Sequence, residues 1–371
     1  MSTTSLPVLP AFQLLGQPVE ISRIEKELQN LFLDGSDEGA DQVGVARASL
    51  INLALYDEDQ ENLEYDASVL AEITSESACR SLLISAAPHA DATGAKAWVQ
   101  VHCQIDKNGR KTVCTEQISF YLAGNTPGLV RNIVFAHLDS DLPLAFWWRG
   151  EFSDAFEHML YSRIDRLIFD SEAWDMPRNQ FLRLLDAQEE SSSTFVMHDF
   201  AFTRLNSVRH AIANAFDRPA VANYLTSLKK VSIRYADGFD MSANYLAAWL
   251  AHRLEASLDR SQSSAGKMKL FSHKRGMPSE VMVEIEPLSE DRKGFVEVDF
   301  QLGDVRIEIS RCQTREFLRT LTHLASGVVE EDWLPAKKMT DATLVGDILN
   351  RAGHNRTHSM VMPIVQEILT L

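Results

Sequence analysis

The sequence predicts an α/β N-terminal domain with a largely parallel or mixed sheet (residues 20–190), then an α+β C-terminal domain with an antiparallel meander (191–371). A flexible arm at 1–19 precedes both. Three observations carry this reading. Leu144-Ala-Phe-Trp-Trp148 and Leu167-Ile-Phe169 are short apolar runs that end in polar residues, with helical patterns flanking them. That is the grammar of a sheet with crossover helices. In the last third, Val296, Val298, Phe300 and Leu302 alternate with Glu297, Asp299 and Gln301, the period of half-buried antiparallel strands. Between the two patterns, residues 188–194 are polar and serine-rich, which places the boundary there.

The elements follow in order. Ile21, Ile24, Leu28 and Leu31 recur at helical spacing, and residues 35–44 form an acidic, glycine-containing loop. Residues 43–55 read as a strand, 64–74 as a helix, and 80–85, 97–105 and 112–122 as three strands. Thr126 caps the next helix with Pro127 at its first position, and Leu129, Val130, Ile133, Val134 and Leu138 form its apolar stripe. Trp147 and Trp148 face opposite sides of their strand, because successive side chains alternate. A helix opened by Ser153 buries Phe156, Met159 and Leu160; a strand at Ile168 and a helix over 177–185 complete the domain. In the second domain 202–216 is a helix and 231–234 a strand. Ser242 caps a helix that buries Tyr245, Leu246, Trp249, Leu250 and Leu254. A two-residue turn at Gly303-Asp304 pairs 302 with 305, 300 with 307 and 298 with 309, so every apolar residue meets an apolar partner. Val281, Val283 and Ile285 supply the strand before that hairpin.

Charge and composition exclude several classes. The 371 residues carry 36 cations against 52 acids, a net charge of −16. Such a surface repels nucleic acid and anionic lipid, so neither is an expected partner. No basic region with an apolar run opens the chain, and no apolar stretch approaches the ~20 residues that cross a bilayer. Four cysteines do not make a disulfide scaffold. The expectation is a cytoplasmic protein.

Catalytic motifs are missing. There is no G-x-G-x-x-G, G-x-x-x-x-G-K-[ST] or G-x-S-x-G, and no cofactor is expected. Gly124 and Gly128 precede a helix whose amides could meet an anion, although a plain loop-to-helix turn explains them as well. His354 and His358 share a helical spacing, but Asn355 stands where a zinc protease needs glutamate. His198-Asp199 at a strand end suits a general base or a structural hydrogen bond. Cys103 and Cys114 face each other if a two-residue Asn108-Gly109 loop joins their strands. A three-residue loop, favoured by Asp106, turns them to opposite sides of the sheet; even opposed, they would occupy a hydrogen-bonded pair site awkward for a disulfide, so two buried free thiols are expected rather than a redox switch. Arg260, Lys267, Lys269, Lys274 and Arg275 make a basic segment, either solvated or facing a phosphate or an acidic surface.

Residues 80–260 resemble the glucose-6-phosphate dehydrogenase assembly protein family, OpcA. The resemblance is carried by Arg80-Ser-Leu-Leu-Ile, Cys114-Thr-Glu-Gln-Ile-Ser, Asp141-Leu-Pro with Trp147-Trp148, and Asp165-Arg-Leu-Ile-Phe-Asp-Ser171. It continues through Phe202-Thr-Arg-Leu205, Arg209, Ala215-Phe-Asp217 and Ala247-Ala-Trp-Leu-Ala-His-Arg-Leu254. Phe202 and Val208 depart from it, standing where tryptophans belong, and residues 1–79 show no family feature. The resemblance implies a non-catalytic protein that binds glucose-6-phosphate dehydrogenase, promotes its active oligomer and raises its response to substrate. The matched positions are Asp141, Trp148, Arg149, Asp170, Arg204, Arg209 and Asp217. Each also has a structural reading: a core tryptophan, a helix cap at Asp170, or pairing of Arg204 and Arg209 with Asp199 or Asp217. In the alternative, a sugar-phosphate-binding protein or enzyme, Arg149, Arg204 and Arg209 converge on a phosphate.

Overall fold

The computed structural model describes residues 14–34, 46–47, 49–105, 111–124, 128–190, 195–288, 296–312, 316–337, 339–350 and 355–371. They form two units. The first holds Met1–Phe169, Arg183–Met197 and Thr340–Gly353; the second holds Asp170–Leu182, His198–Met339 and His354–Leu371. Where the sequence suggests one passage near residue 190, the chain passes between units several times, and residues 340–353 return to the first unit. The loop at 35–44, the cap at Thr126-Pro127, the turn at Asn108-Gly109, His354 and most of the arm lie outside the described residues.

The chain runs β1 (Gln17–Val19), α1 (Ile24–Asp34), β2 (Ala46–Arg47), β3 (Ile51–Asp57), α2 (Leu63–Glu76), β4 (Cys79–Ala87), β5 (Gly94–Ile105), β6 (Lys111–Ala123), α3 (Leu129–His137), β7 (Leu144–Trp148), α4 (His158–Tyr161), β8 (Arg166–Phe169), α5 (Pro177–Glu190) and β9 (Val196–Asp199). These nine strands form one sheet, ordered β1-β5-β6-β4-β3-β7-β8-β9, with β2 beside β6. Pairings β3–β4, β3–β7, β4–β6 and β7–β8 are parallel, while β5–β6 and β1–β5 are antiparallel, so the sheet is mixed. β3, β4 and β7 are buried along their whole length. A strand covered on both faces has no use for polar alternation, hence the continuous runs in sequence. Both Trp147 and Trp148 are core.

Three expectations need correction here. Gly128, with φ +70°, stands at the N-cap of α3, which starts at Leu129. The Ser153 helix is only the short α4, and Met159 is exposed on it. Cys103 and Cys114 are directly opposed and joined as a disulfide, not two free thiols. A register shift between Cys103 and Ile105 takes up the extra residue, so the pair keeps the register of a two-residue loop.

The rest of the chain runs α6 (Phe200–Thr203), α7 (Asn206–Phe216), α8 (Pro219–Ala222), β10 (Leu228–Tyr235), α9 (Asp240–Arg253), β11 (Ser257–Leu258), β12 (Lys267–Phe271), β13 (Glu280–Pro287), β14 (Val296–Leu302), β15 (Val305–Arg311), β16 (Phe317–His323), β17 (Val329–Pro335), α10 (Asp341–Asn350) and α11 (Arg356–Ile368). Eight strands form the second sheet, ordered β11-β12-β13-β10-β14-β15-β16-β17. The hairpin register is the expected one: Leu302 with Val305, Phe300 with Ile307, Val298 with Ile309. The meander, however, is interrupted. β10 inserts between β13 and β14, parallel to the first and antiparallel to the second. The apolar alternation of β10 (Leu228, Val231, Ile233) fits a half-buried strand anywhere in the sheet, so the order was not encoded locally. Ser242 is not a cap. It is buried inside α9, its hydroxyl donating to Glu172 and to the carbonyl of Ala201 at 2.7 and 3.1 Å. No helix among the described residues is long and apolar enough to cross a membrane.

Arg80 on β4 is the cation most deeply committed to the first sheet. Its side chain is 5 % exposed and meets Glu116 of β6, 1 % exposed, at 2.8 Å; it also reaches Glu25 of α1. Breaking a buried pair from one side strands the other charge. We therefore expect Arg80→Met to lower stability by about 3–5 kcal/mol. Arg80→Met with Glu116→Leu should recover most of that loss in urea unfolding, and equal losses for both variants would contradict this account.

Candidate functional site

The strand order of the first sheet reverses at β3, which has β4 on one side and β7 on the other. In open α/β sheets the crevice beyond such a switch point, at the carboxyl ends of the strands, is where ligands sit. Here the chain's own side chains occupy it. Asp57 ends β3, Arg149 follows β7, and the Arg149 amide donates to the Tyr56 carbonyl at 2.9 Å. The guanidinium meets Asp57 at 3.3 Å, Asp66 of α2 at 3.2 Å and Asp341 of α10 at 3.1 Å. It also lies over the rings of Tyr65 and Trp147, at 5.2 and 5.3 Å. Tyr65 donates to Asp341, while Asp57 accepts from the Asp59 amide and the Asn62 carboxamide.

One cation faces three carboxylates, and protonation relieves the excess. Burial pushes Asp66 up to about 8, against the opposing pull of Arg149, so it is largely neutral at pH 7. That leaves two carboxylates, Asp57 and Asp341, around the one guanidinium. Arg166 holds α10 at its other end, donating to the carbonyls of Ile348 and Leu349 at 2.9 and 3.1 Å.

The loop after β3 is acidic and lacks a glycine-rich turn. A dinucleotide fold places a glycine-rich turn there; this chain has Asp57-Glu-Asp-Gln-Glu61. Beside it, on the α3 side, lies a cavity of about 340 Å³ lined by Tyr56, Glu58, Arg131, Asp154 and Glu157, among others. Tyr56 donates to Glu58 at 2.6 Å, and Arg131 is already paired with Glu157 at 3.0 Å. A pyrophosphate would meet the Glu58 carboxylate, which has no cationic partner among the described residues.

The second unit gathers other expected residues. Asp170 caps the turn after β8 and holds Arg204 in a bidentate pair, at 2.8 and 2.6 Å. Asp199, fully buried, caps α6 through the Ala201 amide and accepts from the Ser171 amide and the Tyr245 hydroxyl. Tyr245 also meets Nε2 of the buried His358 at 3.0 Å. Burial pushes Asp199 up to about 7. Arg209 stacks on Phe202, 3.7 Å from the ring centre, and donates to Asn206. The expected pairing of Arg204 and Arg209 with Asp199 or Asp217 is thus replaced by Asp170 and by an aromatic face.

Of the remaining expected residues, Trp148 is fully buried among Tyr56, Phe146, Phe152 and Phe156, its indole donating to the Glu151 carbonyl. Asp141 is exposed in the turn before β7, at the opposite end of that strand from Arg149. Asp217 follows α7 and is exposed. Four of the five residues of the basic segment are in internal pairs: Arg260 with Glu367, Lys267 with Glu284, Lys269 with Glu280 and Lys274 with Glu255. Arg149, Arg204 and Arg209 each have protein partners, so the phosphate-binding alternative is not favoured. Sequence reading missed Asp57, Asp66 and Asp341. A signal existed for Asp66, an acid set into the Leu63, Ala67, Leu70, Ile73 stripe of α2. Among the described residues, no group of three or more metal-ligating side chains is placed to hold an ion.

The raised Asp66 has a measurable consequence. Its folded-state pKa exceeds the unfolded value, so the folded protein binds the extra proton and stability is lost as pH rises from about 4 through about 8. Relative to wild type, Asp66→Asn should gain stability across that window, by a few kcal/mol at most, and the difference should be flat above it. Denaturant titrations at pH 5, 7 and 9 test this; a pH-independent difference would mean that Asp66 is ionised in the folded state.

Comparison with known proteins shows the family. Residues 70–186 match the glucose-6-phosphate dehydrogenase subunit N-terminal domain, and residues 196–362 match the corresponding C-terminal domain. A protein of Nostoc punctiforme described as an OxPP cycle protein OpcA is 30% identical over 167 residues, covering 44% of this chain and 35% of that one. Among solved structures, an oxidoreductase from Sinorhizobium meliloti aligns with TM-score 0.43 at 10% identity, over 85% of this chain and 86% of its own. The Gal80p super-repressor mutant from Saccharomyces cerevisiae aligns with TM-score 0.46 at 6% identity, over 87% and 96%. Likenesses this distant identify no shared activity. The two consecutive domain matches cover most of the sequence, and the chain belongs to the OpcA family of glucose-6-phosphate dehydrogenase subunits.

Proposed function

We propose that this protein is a non-catalytic partner of glucose-6-phosphate dehydrogenase, binding the enzyme, favouring its active assembly and so supporting the oxidative pentose phosphate pathway in the cytoplasm. The observation that carries this reading is the filled switch point. Where an α/β sheet of this order would take a ligand, the chain has an Arg149–Asp57–Asp66–Asp341 cluster followed by an acidic loop. A scaffold that closes its own ligand site and belongs to a family of enzyme subunits is suited to act through its surface. To activate, it must bind the active form of the enzyme better than the inactive one, and a tenfold preference needs only about 1.4 kcal/mol.

The test is a titration of the dehydrogenase from the same organism with this protein, following NADPH at low substrate. A saturable fall in apparent Michaelis constant or rise in rate is expected, with co-elution of the two proteins on a sizing column. No kinetic change and no co-elution at micromolar concentrations would refute the proposal.

A further inference from the structure

The second unit contains a cavity of about 330 Å³ that none of the internal clusters uses. It lies where the last turns of α7 and α9 meet the sheet. Phe216, Trp249 and Phe300 give it an aromatic interior, with Phe216 and Phe300 in edge-to-face contact at 5.2 Å. Asp217 and Arg253 also line it, and both are exposed. Two of the stretches that carry the family resemblance, 215–217 and 247–254, build these walls.

Arg204, Arg218, Arg234 and Arg306 all have ion-pair partners. Among the described residues, Asp217 and Arg253 have none. Asp217 is also the C-cap of α7, and a carboxylate at a helix C-terminus opposes the helix dipole. Its charge contributes nothing to the helix, and together with the nearby carbonyl ends it makes a favourable place for an incoming cation.

We propose that this cavity receives a segment of the partner enzyme in which a bulky apolar side chain stands next to a lysine or arginine. The apolar side chain enters between Phe216 and Trp249, and the cation meets Asp217 and the α7 terminus. Arg253 is left for a carbonyl or carboxylate of the same segment. The net charge of −16 favours approach of a basic segment, and an apolar anchor in a desolvated pocket is the arrangement that concentrates binding energy. The inference rests on the proposed partnership and deepens it.

Two variants test it against the wild-type protein and the intact dehydrogenase. Ala213 is exposed on α7 and lines the cavity, so Ala213→Trp blocks the entrance without replacing a core residue. Asp217→Lys reverses the charge and should leave the melting temperature unchanged or higher, because a cation suits a helix C-terminus. Each is expected to weaken binding by tenfold or more, with circular dichroism and melting no worse than wild type. Wild-type binding with both variants bound equally well would overturn the cavity as the docking site while leaving the partnership intact. Weakening by Ala213→Trp alone would overturn the basic character of the segment. Failure of the wild type to bind would overturn both the partnership and this site.

Discussion

One guanidinium organises the first unit. Arg149 draws a carboxylate from the end of β3, another from α2 and a third from α10, residues separated by up to 284 positions in sequence. Three anions around one cation in a largely buried place would be unfavourable, and the proton on Asp66 reduces the excess. The arrangement is costly to open, since removing the cation leaves Asp57 and Asp341 uncompensated beside apolar surface. That is why the crevice cannot double as an anion site: a ligand would have to displace a buried ionic cluster to enter. The same cluster also fixes α10, whose other end is held by Arg166, so the returning segment is part of the first unit's construction.

The second unit uses its polar groups in the same way. Asp199 is buried with two amide donors and a tyrosine hydroxyl, which satisfies the carboxyl without a counter-ion. Glu172 receives the first amides and the buried hydroxyl of α9. On the solvent side of the sheet, Lys230 with Glu284, Arg234 with Glu297 and Arg306 with Asp299 sit on neighbouring strands, at 2.6, 3.0 and 2.6 Å. Cross-strand pairs of this kind help hold register more than they add stability. The chain's net charge of −16 remains after these neutral pairs are set aside.

What could be read in sequence followed from periodicity. The Gly303-Asp304 hairpin was legible to the residue because a one-residue slip would have exposed Val298, Phe300, Ile307 and Ile309 together. The tryptophan strand was legible because an unbroken apolar run fits only a strand covered on both faces. The place of β10 between β13 and β14 was not, since neighbour choice in a sheet depends on long-range packing rather than on a strand's own pattern. Nor was the site. Asp341 meets Arg149 across 192 positions, and nothing local to either residue announces the other. Ser242 read as a cap because serine before an apolar stripe usually is one; a half-buried glutamate from elsewhere, Glu172, took its hydroxyl instead.

A protein that acts by binding is constrained differently from one that acts on substrate. It needs no pre-organised reacting groups, only a surface that distinguishes two states of its partner, and a small number of well-placed contacts can supply a tenfold preference. Such a protein can fill the crevice at its sheet's switch point with structural charge without losing function. Linkage then runs in both directions. If binding favours the active form of the dehydrogenase, any substrate that favours that form must tighten binding of this protein by the same factor. In that case activation and substrate-dependent association would be one free energy seen from two sides.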